Sequence, residues 1–435
     1  MKEELLQFVW RFQLYETFSF ATTDGDPIEV IHPGSTNVDS GPDFFNAKIR
    51  IGDEYWAGNV EIHNVTSDWQ KHGHHTNKAY DSVVLHVVAV DDGAEVYRTT
   101  GTPVKCAVMH FDGSIEERYR QMVESDRWIA CHDSISAVNP FLIRQYLERI
   151  LVEKLSRKVE IVESDLRKST RSWDDVFYKH LLRCFGFSIN TLPFEMLASV
   201  APLSVLRKHR ESLASIEAIL LGQAGLLQVT SGDAYAIQLA REYKHLKAKY
   251  ALQPLDGSIW KFLRTRPQNF PTVRLAQLAA LIHKHHSLFA EVVKCQSAEE
   301  FKRLLRSAES SSYWQHHYQL GVPTKSSVGC LGEASLLLLC INLFIPFVFA
   351  YGHINGYLAM KEKALDMLQT IPPERNSIIE RWQMLGMPVE SAFDTQALLF
   401  LKKEYCDTKQ CLRCTIGKKV LENSLVNRAE KRTKA

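Results

Sequence analysis

Gly41-Pro42-Asp43-Phe44-Phe45-Asn46-Ala47-Lys48-Ile49-Arg50-Ile51-Gly52-Asp53-Glu54-Tyr55-Trp56-Ala57-Gly58-Asn59-Val60-Glu61-Ile62-His63 alternates apolar and polar residues on both sides of a tight turn. Ala47, Ile49 and Ile51 interleave with Lys48 and Arg50, the period of a half-buried strand. Gly52-Asp53-Glu54 has the chemistry of a turn between antiparallel neighbours. Beyond it Trp56, Gly58, Val60 and Ile62 share one face of a second strand, leaving Asn59, Glu61 and His63 together on the other. Asp43 opens the first strand and Glu61 lies on the second, so two carboxylates can converge across one inter-strand spacing of ~4.8 Å.

Working outward, the pattern predicts a helix over 2–16 and strands over 28–31, 46–51, 55–63, 83–90, 95–98 and 104–110. Val83 to Val90 is nearly continuous in apolar residues, as in a central strand covered on both faces. From residue 114 the period changes to 3.6, with helices expected in succession from 114–125 to 392–404. The expected fold class is an α/β N-terminal domain with a small mixed sheet, followed by a large all-α region. The expected boundaries are 1–112 for the α/β domain, 113–252 and 253–417 for two helical domains, and 418–435 for a basic tail. Gln253-Pro254-Leu255-Asp256-Gly257 and Gly321-Val322-Pro323 are the expected breaks. No repeat of solenoid length is present.

With 435 residues, 45% apolar and 23% charged, the chain has the composition of an ordinary globular protein with room for more than one core. Lys and Arg total 52 against 50 acidic residues, so a nucleic-acid partner would be met by a local basic patch and not by bulk charge. The start, Met1-Lys2-Glu3-Glu4, leads into an amphipathic helix and not an apolar signal core. The apolar run Leu336–Tyr351 is shorter than the roughly 20 residues a bilayer requires, and is expected as a buried helix broken at Pro346. Nine scattered cysteines without a disulfide framework point to a reducing compartment, so the expected location is the cytoplasm, with no membrane partner. Walker, dinucleotide, Gly-x-Ser-x-Gly and His-Glu-x-x-His motifs are all missing, which disfavours an NTPase, a dehydrogenase, a serine hydrolase and a zincin.

Hard divalent cations favour carboxylate oxygen, and a bound cation activates water and neutralises charge growing on a phosphate. Asp43 and Glu61 are therefore candidate ligands for Mg²⁺ or Mn²⁺, and His63 a candidate for orienting or deprotonating water. The pattern Pro42-Asp43 … Glu61-Ile62-His63 resembles the signature of the restriction-endonuclease-like PD-(D/E)xK superfamily. The element order of the first 110 residues is similar too: a helix, a three-stranded meander, a helix near 74–82, then the strand 83–90. The resemblance implies metal-dependent cleavage of DNA or RNA, with a further carboxylate from the first helix, at Glu3, Glu4 or Glu16. This chain carries His63 where the superfamily has lysine. A permanent cation is lost, and a catalytically inactive nucleic-acid- or protein-binding scaffold stands as the alternative.

His72, His74 and His75 follow closely, and His86 interrupts the apolar strand. Imidazoles with carboxylates also suit a transition metal, so a metalloenzyme of another class using His63, His72 and His74 is a further alternative; a solvated polar loop is the plain one. Cys406, Cys411 and Cys414 form a C-x4-C-x2-C array that suits Zn²⁺ or an iron–sulfur cluster, with the fourth ligand sought among Cys330, Cys340 and His353. Three unliganded thiols fit the same spacing. Around Trp260 to Pro271, Lys261, Arg264 and Arg266 interleave with aromatics, a mix able to grip a nucleic-acid backbone and stack a base. As a whole the chain also looks like an uncharacterised family of bacterial proteins filed under a domain of unknown function. The segments that carry this likeness are Gly41–Phe44, Gly58–His63, Arg266–Pro271 and Cys411–Cys414, and it implies no activity.

Overall fold

The structure, a computed structural model, describes residues 2–37, 39–169, 172–227, 233–263, 265–325 and 329–422. Arg264 and the tail beyond residue 422 fall outside the described residues. The chain divides into two compact units, Met1–Tyr146 together with Phe400–Ala435, and Leu147–Leu399.

The first unit starts with helix α1 (Glu3–Arg11), whose Leu5, Leu6, Phe8, Val9 and Trp10 are buried. It is shorter than the 2–16 expected from sequence, because Gln13 takes a left-handed φ of 49° and turns the chain away. There follow β1 (Ile28–His32), the two-residue β2 (Ser35–Thr36), β3 (Phe44–Ile51) and β4 (Glu54–Val65). A short helix α2 (Asp68–Lys71) leads through two 3₁₀ turns to β5 (Val83–Val90), and β6 (Lys105–Val108) follows. The sheet order is β1-β3-β4-β5-β6, with β2 beside β3. β1, β3 and β4 pair antiparallel; β5 runs parallel to β4, and β6 parallel to β5. The parallel pairing demands a crossover between β4 and β5, and the 66–82 segment provides it over a core of Trp69, Tyr80, Val83, Val96, Val104 and Cys106.

Two expectations need correction here. The helix near 74–82 is replaced by the 3₁₀ turns His74–Thr76 and Lys78–Tyr80, since Asn77 between them is extended (φ −110°, ψ 112°) and its side chain accepts from the Ala79 amide, capping the second turn. The expected strand over 95–98 forms only a single bridge, Tyr97 to Pro103. Proline at its partner position cannot donate to a ladder.

Both ladders around β4 shift register just before Glu61. Between β3 and β4 the shift lies between Phe44 and Ala47, where Asn46 has φ 56°; between β4 and β5 it lies between Asn59 and Val60. Asn59 bridges these irregularities. Its side chain accepts from the Asn46 amide at 3.2 Å and donates to Ser82 Oγ at 2.8 Å. A bulge of this kind re-aims the residues that follow it.

The second unit is helical. Leu213–Gln223 and Pro271–Lys284 are buried along almost their whole length, as expected for helices surrounded by other helices. The expected break at Gly321-Val322-Pro323 is instead a small hairpin, His317–Gln319 with Val322–Pro323. The apolar run lies inside one helix, Glu333–Ile354, which has 22 residues and is long and apolar enough to cross a membrane, with 67% of its apolar 18-residue stretch buried within the protein. Pro346 does not break it. A π turn over Cys340–Phe344 precedes the proline, widening the helix where the ring would clash. Proline has no N–H to offer the Asn342 carbonyl, and Cys184 Sγ donates to that oxygen instead, at 3.8 Å.

Gly58 sits where β4 meets β5: a Cβ there would lie 2.4 Å from Val84 Cγ1 and 2.8 Å from the Ser82 carbonyl. Gly58→Ala is expected to lower stability by about 1–3 kcal/mol through overpacking. Urea denaturation checks this, and an unchanged midpoint would refute the packing argument.

Candidate metal centre

Asp43 and Glu61 meet beyond the last β3–β4 pair, Phe44 with Val60, where main-chain amides are open to them. Asp43 Oδ2 accepts from the Ile62 amide at 3.0 Å, and Glu61 Oε2 accepts from the Asp43 amide at 3.0 Å. Gln7, on α1, donates to Asp43 Oδ1 at 2.8 Å. Glu61 therefore has one oxygen committed to the sheet and the other, Oε1, turned outward. That oxygen lies 3.5 Å from His63 Nε2 and 3.2 Å from His74 Nε2.

His63 is 1% exposed and is held at both ring nitrogens. Its Nδ1 lies 2.8 Å from His86 Nε2, and its Nε2 lies 3.0 Å from His72 Nδ1. The row continues inward from His86 Nδ1 to Cys106 Sγ at 3.7 Å. The first helix contributes Glu3, whose Oε1 lies 3.8 Å from His63 Nε2. Of the carboxylates considered on that helix, Glu3 is the one placed at the cluster; Glu16 accepts a hydrogen bond from Ser19.

Burial dominates the electrostatics. It pushes Asp43 up to about 7, with the neighbouring Glu61 charge adding to it and the Ile62 amide and Gln7 opposing. Burial likewise raises Glu61 to about 8 against the Asp43 amide, with Glu3 adding to the rise. Glu3 is raised by burial and by Asp43. The imidazoles move the other way: burial and the neighbouring histidines hold His63 down at about 2, burial and His74 hold His86 down at about 3, and His74 is lowered by burial. These are acids that resist ionising together beside imidazoles that resist protonation. A divalent cation relieves the first and uses the lone pairs of the second.

The donor set fits such an ion. One ring nitrogen from each of His63, His72 and His74 lies within 4.8 Å of the other two. His74 Nε2 is buried without a hydrogen-bond partner despite its closeness to Glu61 Oε1, so both atoms border the same small space. His74 stacks on Tyr80 with ring centroids 3.7 Å apart, which fixes the plane of its ring. The structure thus brings together Asp43, Glu61 and His63, and adds His72, His74, Glu3 and Gln7 around them.

The remaining sequence candidates lie elsewhere. Lys261 and Arg266 are exposed in the second unit, with the Lys261 backbone pinned by Asn190 through two hydrogen bonds of 2.9 Å. Arg266 borders a cleft of about 590 Å³ that also contains Phe187, Asn190, Asn269 and Arg274. Sequence reading missed Arg274, an arginine 3% exposed within a helix buried along almost its whole length; its guanidinium bonds Gln277, Asn269 and Ser335, all neutral, and its Nε has no hydrogen-bond partner among the described residues. The signal was available: one arginine inside Pro271–Ile282 has no solvent-facing side to occupy. Cys406, Cys411 and Cys414 belong to the first unit, whereas Cys330, Cys340 and His353 belong to the second.

No curated protein and no solved structure matches the chain. Residues 3–377 match the family described as protein of unknown function (DUF2851). The chain belongs to that family.

Proposed function

We propose that the first unit is a metal-dependent nuclease, hydrolysing phosphodiester bonds in DNA or RNA. The observation that carries this reading is the meeting of Asp43, Glu61 and Glu3 with the imidazoles of His63, His72 and His74 in one place. The strand plan supports it as well: an antiparallel meander followed by a crossover to a parallel strand, with Asp43 entering β3 and Glu61 on β4. Lys261 and Arg266 are the proposed nucleic-acid contacts, together with Arg264.

In this reading Asp43 and Glu61 hold the ion, and His63 and His74 complete its ligand set. The mixture of carboxylate and imidazole favours Mn²⁺ or another transition metal over Mg²⁺. When bound, the ion supplies charge neutralisation at the phosphate and lowers the pKa of a water. His63 is neutral, with Nδ1 held by His86 and Nε2 turned toward Glu61 and His72, so it serves as a ligand through Nε2, in place of its contact with His72, and not as the phosphate-contacting cation that lysine would be. Glu3, half-buried at the edge of the cluster and raised toward neutrality, takes the proton of the attacking water. The water oxygen bonds to phosphorus as the ester oxygen leaves. A second reading, a metalloenzyme of another class using the same three imidazoles, is favoured by their mutual proximity alone.

The test is cleavage of single- and double-stranded DNA and RNA by the full chain with Mn²⁺, Mg²⁺, Zn²⁺ or chelator. Asp43→Asn and Glu61→Gln are each expected to lower the rate by about two orders of magnitude. Cleavage at the wild-type rate in both variants would overturn the proposal, and salt-sensitive binding without cleavage would favour the inactive scaffold.

The raised carboxylates also set a pH dependence for the metal-free protein. A folded-state pKa above the unfolded value gives stability that is present at low pH and lost as pH rises through the folded value. With chelator present, the thermal midpoint is therefore expected to fall from pH 6 toward pH 8, the range spanned by about 7 for Asp43 and about 8 for Glu61. The double variant Asp43→Asn/Glu61→Gln is expected to flatten that fall, and Mn²⁺ to reverse it in the wild type. A midpoint that rises over this range in chelator would contradict the assignment. The histidines act at the other end: their lowered pKa values remove stability as pH drops below about 6.5.

A further inference from the structure

The second unit buries a cation without an anion. Arg274 is 3% exposed on the helix Pro271–Lys284, which is covered along almost its whole length. Arginine is rarely buried unless a carboxylate accompanies it, because taking the charge out of water is costly. Among the described residues the acceptors of this guanidinium are all neutral. One terminal nitrogen donates to Gln277 Oε1 at 2.9 Å; the other donates to Asn269 Oδ1 at 2.5 Å and to Ser335 Oγ at 2.7 Å. Nε is buried and has no acceptor among them. Burial alone acts on the pKa of the group, lowering it to about 10.

The guanidinium is held in place by an aromatic ring, with its Cζ 4.3 Å from the centre of Phe187. Phe187 and the next residue, Ser188, both take left-handed φ values, 41° and 70°. Residues other than glycine keep that conformation only where the surrounding structure over-determines it. The ring covers one face of the guanidinium and leaves its donors in the plane, where an oxyanion is met.

Arg274, Asn269 and Ser335 line one cleft of about 590 Å³, and the exposed Arg266 lines it too. The start of the helix Glu333–Ile354 forms a further wall. Its N-cap, Gly332, has no side chain to accept from the first-turn amides, so those donors and the positive end of the helix stand at the cleft. Glu333 is the one acid among the lining residues, and it is already engaged by Lys302, at 2.8 Å, and by Arg306. Two arginines, a hydroxyl and helix-end amides around one space suit an oxyanion of more than one charge with oxygens in several directions, which is phosphate and not a planar carboxylate. The volume is that of a site for a small organic ligand, so the phosphate need not be a lone ion.

We propose that this cleft binds a terminal phosphate group, with its oxygens taken by the Arg274 guanidinium, the Ser335 hydroxyl and the first-turn amides of the helix Glu333–Ile354. Arg266 adds charge at the exposed side. The site lies within the second unit and does not rest on the nuclease reading.

The test is equilibrium dialysis of the full chain against radiolabelled inorganic phosphate, with chelator present so that no ion at the imidazoles recruits it. Saturable binding is expected, displaced by a nucleoside 5′-monophosphate and not by acetate at equal ionic strength. A 5′-phosphorylated oligonucleotide that competes at least about tenfold better than both the nucleoside monophosphate and its own 5′-hydroxyl twin identifies a nucleic-acid end as the source. One that falls short of this identifies a small phosphate compound. Ser335→Asp, which sets a carboxylate against Arg274, is expected to weaken binding by about tenfold or more, and Ser335→Asn to keep it within about threefold. Arg274→Met is expected to abolish it; should that variant not fold, the two Ser335 variants decide. A lack of saturable phosphate binding, displacement by acetate, or a Ser335→Asp variant that binds as its parent does would overturn the proposal.

Discussion

The candidate site depends on one exchange of hydrogen bonds between neighbouring strands. The Asp43 amide donates to Glu61, and the Ile62 amide donates to Asp43. Each carboxylate satisfies a main-chain donor that lies beyond the last β3–β4 pair, Phe44 with Val60. The exchange draws two acids into the end of the ladder, where burial raises both, the Glu61 charge adds to the cost of ionising Asp43, and Glu3 adds to that of Glu61. The geometry is held by the backbone, so the acids cannot swing apart to relieve that cost. It is met either by a shared proton or by a cation.

The histidines extend the same logic into the core. His72, His63, His86 and Cys106 form a continuous polar row from the exposed end of the β4–β5 crossover to the interior. Each inner ring is oriented by the one before it, which fixes which nitrogen of His63 faces Glu61. A lysine at position 63 would bring an ammonium into a pocket only 1% exposed, between two imidazoles that are themselves held neutral. The departure from the nuclease-like pattern is thus matched by its surroundings. His63 came with partners that a lysine could not use.

Much of this was legible from pattern alone. The half-buried period of 46–51, the turn at Gly52 and the continuous apolar run of β5 each express a local constraint, and the structure places strands over the first and last of these. The long succession of helices after residue 113 is equally local in origin, since a 3.6 period is set by one face at a time. What escaped was long-range. Nothing in the spacing of His74 announces that it stacks on Tyr80 and faces Glu61, because Gly73 must first reverse the chain. Pro346 misled for a different reason: a helix that can form a π turn and borrow a thiol donor from Cys184 absorbs a proline that pattern reading treats as a stop.

The return of the C-terminal segment changes what the first unit is. Its sheet closes by residue 108, yet residues 400–422 supply side chains that pack on the 123–146 stretch. A unit assembled from both ends of a chain forms only after the intervening 147–399 has been made, and loop closure over that length carries an entropic cost growing slowly with length. Aromatic and lysine contacts at a partly exposed seam give modest energy against such a cost. Burial supplies the rest: Leu401, Ile416, Val420 and Leu421 are buried, and Cys411 and Cys414 are each 7% exposed. Apolar surface removed from water grows with every such side chain, so the returning segment is held as core and not by its exposed contacts alone.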